Sequence, residues 1–256
     1  MNRIDFNHGS GFVYGGALPS STSTSINTLI DAALVRANRA QPPRDYLGAS
    51  RIGEPCSRKL SYELTHTPKD AGHDFDGAIL RVFEAGHRFE ELTIEWLRAA
   101  DFDLRTRKRD GSQFGFSAAG GRLRGHIDGV IVDGPDSGLR WPVLWEHKAL
   151  NAKSWLDLVK CGLRASKPIY FAQVQIYMAY MEVGQTLFTA LNKDSQQLFH
   201  ELVLFDPAEA QSLSDKAIDI LCATDAGELP PRIAAEADFY LCRRCEYAKR
   251  CWEAQP

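Results

Sequence analysis

Three charged side chains stand where strand residues belong. In VLWEHKAL, Val143 to Leu150, the apolar residues predict a buried strand. Side chains alternate across a strand with a period of two, so Leu144, Glu146 and Lys148 share one face while Trp145 and His147 share the other. Upstream, LRGHIDGVIV places Asp128 inside a second strand-forming run, and seventeen residues separate it from Glu146. Two carboxylates a few ångströms apart repel, a cost that a divalent cation between them removes. An oxygen-only shell suits a hard ion, Mg²⁺ or Mn²⁺, which holds a phosphate and lowers the pKa of a bound water. Lys148 beside such an ion can orient that water or stabilise charge building on the phosphate. The ordinary alternative is a partly exposed salt bridge on a strand edge.

A second group of polar residues rides on a long predicted helix, about Gly77 to Ala100. Ile79, Leu80, Phe83, Leu92, Ile94 and Leu97 keep helical spacing there, and Glu84, His87, Glu90 and Glu91 interrupt them. His87 and Glu91 share a face, while Glu90 is turned about 100° from Glu91, so both cannot aim equally at one ion. The ordinary reading of such residues is a solvated helix face. The tail reads LCRRCEYAKRC, that is Cys242-x2-Cys245-x5-Cys251, and a fourth ligand is expected elsewhere in the chain. Four thiolates hold either Zn²⁺ or a [4Fe-4S] cluster, and spacing alone does not choose. Cys161 and Cys222 have no partner pattern and are expected as small buried hydrophobes. In the strand-like RTRKR, Arg105, Arg107 and Arg109 share one face, which suits either a line of phosphates or a solvated edge.

These residues need a scaffold, and 256 residues, 44% hydrophobic and 25% charged, can bury one large core. The net charge of −3 excludes a uniformly basic coat but not a local basic patch. No long apolar run or export signal is found, so a soluble, cytoplasmic protein without membrane contact is expected. Residues 1–25 carry a Ser/Thr run and read as loosely ordered; 26–256 are expected to form one domain. Ser25 is a candidate cap for a helix to about Arg39, stopped by Pro42-Pro43. Strands are predicted at about 102–109, 113–117, 122–132 and 142–150, helices at 151–162 and 168–183. Then come the strands TLFTALN and QLFHELVLF as a hairpin, and a helix at 207–222. This order predicts an α/β fold of the α+β kind, one central mixed sheet flanked by helices.

The sequence G-H-I-D-G followed by E-H-K resembles the PD-(D/E)XK nuclease superfamily, with Asp128, Glu146 and Lys148 in the motif positions. Gly86-x3-Glu90 and Gln173-x3-Tyr177 are similar to the helix signatures of its RecB-like branch, and Ser50-x5-Cys56-x-Arg58 to the first cysteine segment of its iron-sulfur members. Those members include the AddB nuclease domain and CRISPR-associated exonucleases, with phage exonucleases as a related type. The resemblance implies a restriction-endonuclease-like sheet, catalytic roles for Gln173 and Tyr177, Glu90 as the preferred helix-borne metal ligand with His87 second, and the His147 backbone carbonyl as a further metal ligand. It favours a [4Fe-4S] cluster on Cys56, Cys242, Cys245 and Cys251, joining the N- and C-terminal segments, with structural Zn²⁺ as the alternative. The implied activity is metal-dependent DNA exonuclease, single-strand-preferring, in recombination, repair or phage DNA metabolism, with DNA and a recombination protein as partners. Two other readings stand beside it: an exonuclease trimming spacer precursors with a CRISPR-adaptation partner, and a non-catalytic DNA-binding or inhibitory protein on the same fold.

Overall fold

Of the 256 residues, the computed structural model of the protein describes 20–253. The described residues fall into two compact units, 20–42 with Phe75–Val82, and Pro43–Asp74 with 83–253. In the first lies helix α1 (Ser20–Arg39), in which Asp31 pairs with Arg81. The helix begins five residues before Ser25, so Ser20–Ser25, expected to be loose, are helical; residues 1–19 of that expectation lie outside the described range. Thr28 Oγ1 donates to the Thr24 carbonyl one turn back at 2.8 Å, so its hydroxyl is satisfied within the helix.

The second unit carries two mixed sheets where one was expected. The larger has the order β2 (Leu104–Arg105), β5 (Gly129–Ile131), β6 (Val143–Leu150), β7 (Gln185–Asn192), β8 (Leu198–Leu204), with β6 and β7 parallel and the other neighbours antiparallel. The smaller pairs β1 (Leu47–Gly48) parallel and β3 (Gly115–Ala118) antiparallel with β4 (Leu123–His126). The strand predicted at 122–132 is therefore cut after His126, its first part in one sheet and its second in the other. The predicted 102–109 strand shrinks to two residues because Lys108 and Ser112 close a turn with Gly111 at φ 82°. The hairpin between β7 and β8 forms as expected.

Helices α2 (Ser57–Leu64), α3 (from Gly77 to Ala99), α4 (Ala152–Ser166), α5 (Pro168–Met181), α6 (Pro207–Asp225) and α7 (Ala248–Glu253) complete the described elements. Strand β7 is buried at every position, as a central parallel strand must be, since neither of its faces meets water. On one side Leu144 and Phe188 pack with Leu158, Ile176 and Met178 of α4 and α5. On the other Val143, Trp145 and Leu187 pack with Ile94 and Leu97 of α3. Of the predicted apolar stripe on α3, Leu80 is buried, but Ile79, Phe83 and Leu92 are exposed. Leu92 is turned about 160° from Ile94, which packs on the sheet, so it points away from it.

Helix α4 passes its expected end only by breaking. Gly162 takes φ 74°, ψ 169°, and the Leu163 amide donates to Glu201 Oε2 at 2.8 Å instead of to its own helix. Cys161 and Cys222, expected inside, are exposed on α4 and α6. Among the described residues no helix is long and apolar enough to cross a membrane. Asn151 closes β6 and opens α4, its side chain accepting the Ser154 amide at 2.8 Å. Replacing it (Asn151→Ala) is expected to cost about 1 kcal/mol. In thermal unfolding, a drop in Tm of roughly 2–4 °C is the expected reading.

Candidate active site

The cut in the 122–132 run puts Asp128 at the start of β5, where the Gly129–Trp145 pairing ends. One step further along the antiparallel register, Asp128 stands beside Glu146. Its Oδ2 accepts the His147 amide at 2.9 Å. In an extended residue the N–H and C=O leave by the same edge, so the His147 carbonyl faces the Asp128 side too. Glu146 is 1% exposed, and its two oxygens live differently. Oε1 takes the Lys148 ammonium and, at 2.6 Å, Gln173 Nε2; Oε2 is buried without a hydrogen-bond partner.

Helix α5 supplies the far wall. Gln173 reaches both Glu146 and, at 3.3 Å, the Tyr177 hydroxyl, and both residues are buried instead of forming a half-exposed stripe. Tyr170, one turn before Gln173, lays its ring 5.3 Å from the Lys148 ammonium. Gly125 of β4 is required here, because a Cβ on it would fall 2.8 Å from the Tyr177 ring. Residues of the opposite β6 face turn to α3: the His147 ring nitrogen Nε2 lies 3.1 Å from Thr93 Oγ1. Burial first, and then Lys148, push the His147 imidazole down to about 3, so it is neutral.

Charge is the unbalanced quantity. Burial, then the Asp128 carboxylate, push Glu146 up to about 8 from the ordinary glutamate value of 4.5. The same two causes raise Glu90, on α3, to about 7. Burial also raises Asp128, against the pull of Lys148 and the His147 amide. Burial alone would lower Lys148, but Glu146 and Asp128 hold its ammonium above the usual lysine range. Both helix candidates are thus within electrostatic reach of the strand acids: Glu90 is half-buried, whereas His87 is exposed and acts on Asp128 from the rim. Glu91 turns outward to Arg88 at 2.6 Å.

Three carboxyl groups against one ammonium, with a bare buried Oε2, form a donor set suited to a hard divalent cation: Asp128, Glu146 and the His147 carbonyl, with Glu90 behind them. As placed, among the described residues, no three His, Cys, Asp or Glu side chains converge closely enough to hold an ion by themselves. Main-chain oxygen and water would have to complete the shell.

The four predicted cysteines meet elsewhere. Cys56, Cys242, Cys245 and Cys251 line one cavity of about 390 Å³, although 186 positions separate the first two. Arg58 approaches Cys251 Sγ at 4.0 Å, and Arg232 donates to the Cys251 carbonyl at 2.8 Å while its guanidinium lies 4.7 Å from the Trp252 ring. Pro168 and Ile169, at the start of α5, form part of the same wall. Of the three arginines expected on one strand face, Arg109 lies past the strand on a turn. Arg105 pairs with Asp103 at 2.7 Å, Arg107 donates to the Gly111 carbonyl at 3.0 Å, and Arg109 is exposed on the turn. Sequence reasoning missed Tyr170 and Thr93. Each sits three residues from a motif residue, Gln173 or Glu90, on the same helical face, and that spacing is the signal that would have found them.

The raised carboxyls give a sign that can be measured. Between about 4.5 and about 8 the folded protein holds protons on Glu146 that the unfolded chain has lost. Stability of the metal-free protein is therefore expected to fall as pH rises through that window, and to be fully recovered below it. Chemical denaturation at pH 5 and pH 8 checks this; added Mn²⁺ should stabilise more at the higher pH, where the carboxylates are free to bind it.

Comparison with family models finds no match, and none is found among curated proteins. Among solved structures the chain is similar to an alkaline exonuclease, LHK-Exo, from Laribacter hongkongensis, with 15% identity over 77% of this chain and 93% of that one, and a TM-score of 0.52. LHK-Exo in complex with dAMP gives 16% identity over 78% and 93%, with the same TM-score. The likeness is one of fold.

Proposed function

We propose that the protein is a divalent-metal-dependent deoxyribonuclease, an exonuclease working on DNA ends with a preference for single strands. The observation that carries this reading is the buried Glu146 with its bare Oε2, between Asp128 and Lys148. A protein that only binds DNA has no use for such a group, since an uncompensated buried charge is costly. The exonuclease fold supports the same conclusion, and the dAMP complex of LHK-Exo supports a mononucleotide product.

Mg²⁺ or Mn²⁺ bound by Asp128, Glu146 and the His147 carbonyl, with Glu90 and then His87 as the helix candidates, supplies charge compensation and an activated water. The chain's own residues do the rest. Gln173 and Lys148 together occupy Glu146 Oε1, which leaves Oε2 for the cation. The His147 amide fixes Asp128 in the same way. Lys148, held protonated by its acidic neighbours, cannot act as general base; it is a fixed positive charge for the phosphate oxygens. Tyr177 keeps the Gln173 amide turned toward Glu146. Arg107 and Arg109, with Lys108, sit on a turn whose neighbour Gln113 donates to the Ile127 carbonyl at 3.2 Å, next to Asp128, and so offer cations to the phosphates of an entering strand; Arg105 joins them only by leaving Asp103.

The four-cysteine cavity is read as a [4Fe-4S] site. Cys56, Cys242, Cys245 and Cys251 line one space of about 390 Å³, and four thiolates are the ligand set of such a cluster. Such a group would tie α2 to the C-terminal segment.

End-labelled single- and double-stranded DNA, with Mn²⁺, Mg²⁺ or chelator, tests the activity. Cleavage is expected with either metal and not with chelator, and Lys148→Ala should lower kcat by about 100-fold or more. Equal products from both proteins would end the enzymatic reading. For the cavity, anaerobically purified protein should be brown, and Cys245→Ser should lose the colour; colourless protein with stoichiometric zinc would reverse the assignment.

A further inference from the structure

Thr93 is 0% exposed in the middle of α3, and its one hydroxyl faces two partners. It donates to the Phe89 carbonyl at 2.8 Å, which leaves a lone pair to accept the His147 Nε2–H at 3.1 Å. His147 is itself 4% exposed, so water cannot replace either group. The two ends of this contact are each tied to the candidate active site. Thr93 stands one helical turn after Glu90 and shares its face. His147 stands between Glu146 and Lys148, and its own amide holds Asp128. Ile94 and Leu97 hold α3 against Val143, Trp145 and Leu187, and Arg98 donates to the Leu104 carbonyl at 2.9 Å. Of these attachments of α3 to the sheet, the Thr93–His147 contact is the nearest to Glu90 along the helix.

We propose that Thr93 is a positioning residue whose hydroxyl, bound to the His147 ring, sets the helix acid Glu90 in register with Asp128 and Glu146. The inference rests on the metal-dependent nuclease reading. Without the hydroxyl, the His147 N–H has no acceptor in a dry interior, the ring turns to find one, and α3 loses its polar attachment to β6. A displacement of about 1 Å at such a distance from the chemistry can cost about 100-fold in rate.

Thr93→Val keeps the side-chain shape and removes the hydroxyl; Thr93→Ala removes it with a better helix former, for use where the valine variant does not fold; Thr93→Ser keeps it and drops the methyl. Mn²⁺ binding to the DNA-free protein is read by calorimetry or by the loss of the free-ion electron paramagnetic resonance signal. Cleavage is then resolved into kcat and KM. The hydroxyl-free variant is expected to bind Mn²⁺ about 10- to 100-fold more weakly and to lose kcat with KM for DNA little changed, while Thr93→Ser stays near the wild type. If the wild type cleaves DNA but a folded hydroxyl-free variant binds Mn²⁺ as tightly and turns over as fast, Thr93 is merely structural and the proposal fails. It fails equally if Thr93→Ser is as impaired as Thr93→Val, since packing would then be the cause. A wild type that neither binds Mn²⁺ nor cleaves removes the nuclease reading and this inference with it.

Discussion

The repulsion between Asp128 and Glu146 is the constraint around which the second unit is built. Two acids from neighbouring antiparallel strands are forced together by backbone register, and burial makes each of them costlier to ionise. Most polar contacts nearby read as responses to that pressure. Lys148 and Gln173 share one Glu146 oxygen, and the His147 amide holds one of Asp128. None of these contacts removes the surplus negative charge. They orient it, which is what a site for a cation requires.

Helix α5 connects this site with the cysteine cavity. Its first residues, Pro168 and Ile169, wall the cavity, and the next two turns carry Tyr170, Gln173 and Tyr177 to Lys148 and Glu146. The segment before Cys56 presses on the same helix: a Cβ on Gly53 would fall 2.6 Å from the Ile169 backbone. The cavity and the acids are thus two ends of one rigid rod.

The acids and the lysine stood out because a charge inside a strand run breaks a local rule and needs a reason. The Gln173-Tyr177 pair carried no such signal and was picked out only through its resemblance to a family signature. The three tail cysteines stood out by spacing and Cys56 by resemblance, and all four line one cavity. What stayed hidden depends on tertiary context. The division of the 122–132 run between two sheets has no local signal, since Ile127 and Asp128 look like a continuous strand with one odd residue. The fate of RTRKR was decided by the turn at Gly111 and by Asp103, both outside the pattern. Thr93 was silent because a threonine in a helix is unremarkable until its partner, 54 positions away, is known.

The cut between β4 and β5 also says where this chain can vary. Adding or losing one residue between His126 and Gly129 would turn the aspartate to the other side of the pleat and destroy the site while leaving composition unchanged. The exposed stretch 135–138 bears no such restriction, because it joins strands whose pairing is already fixed at Ile131 and Val143. Relatives of this protein should therefore differ freely in the length of the second stretch and hardly at all in the first.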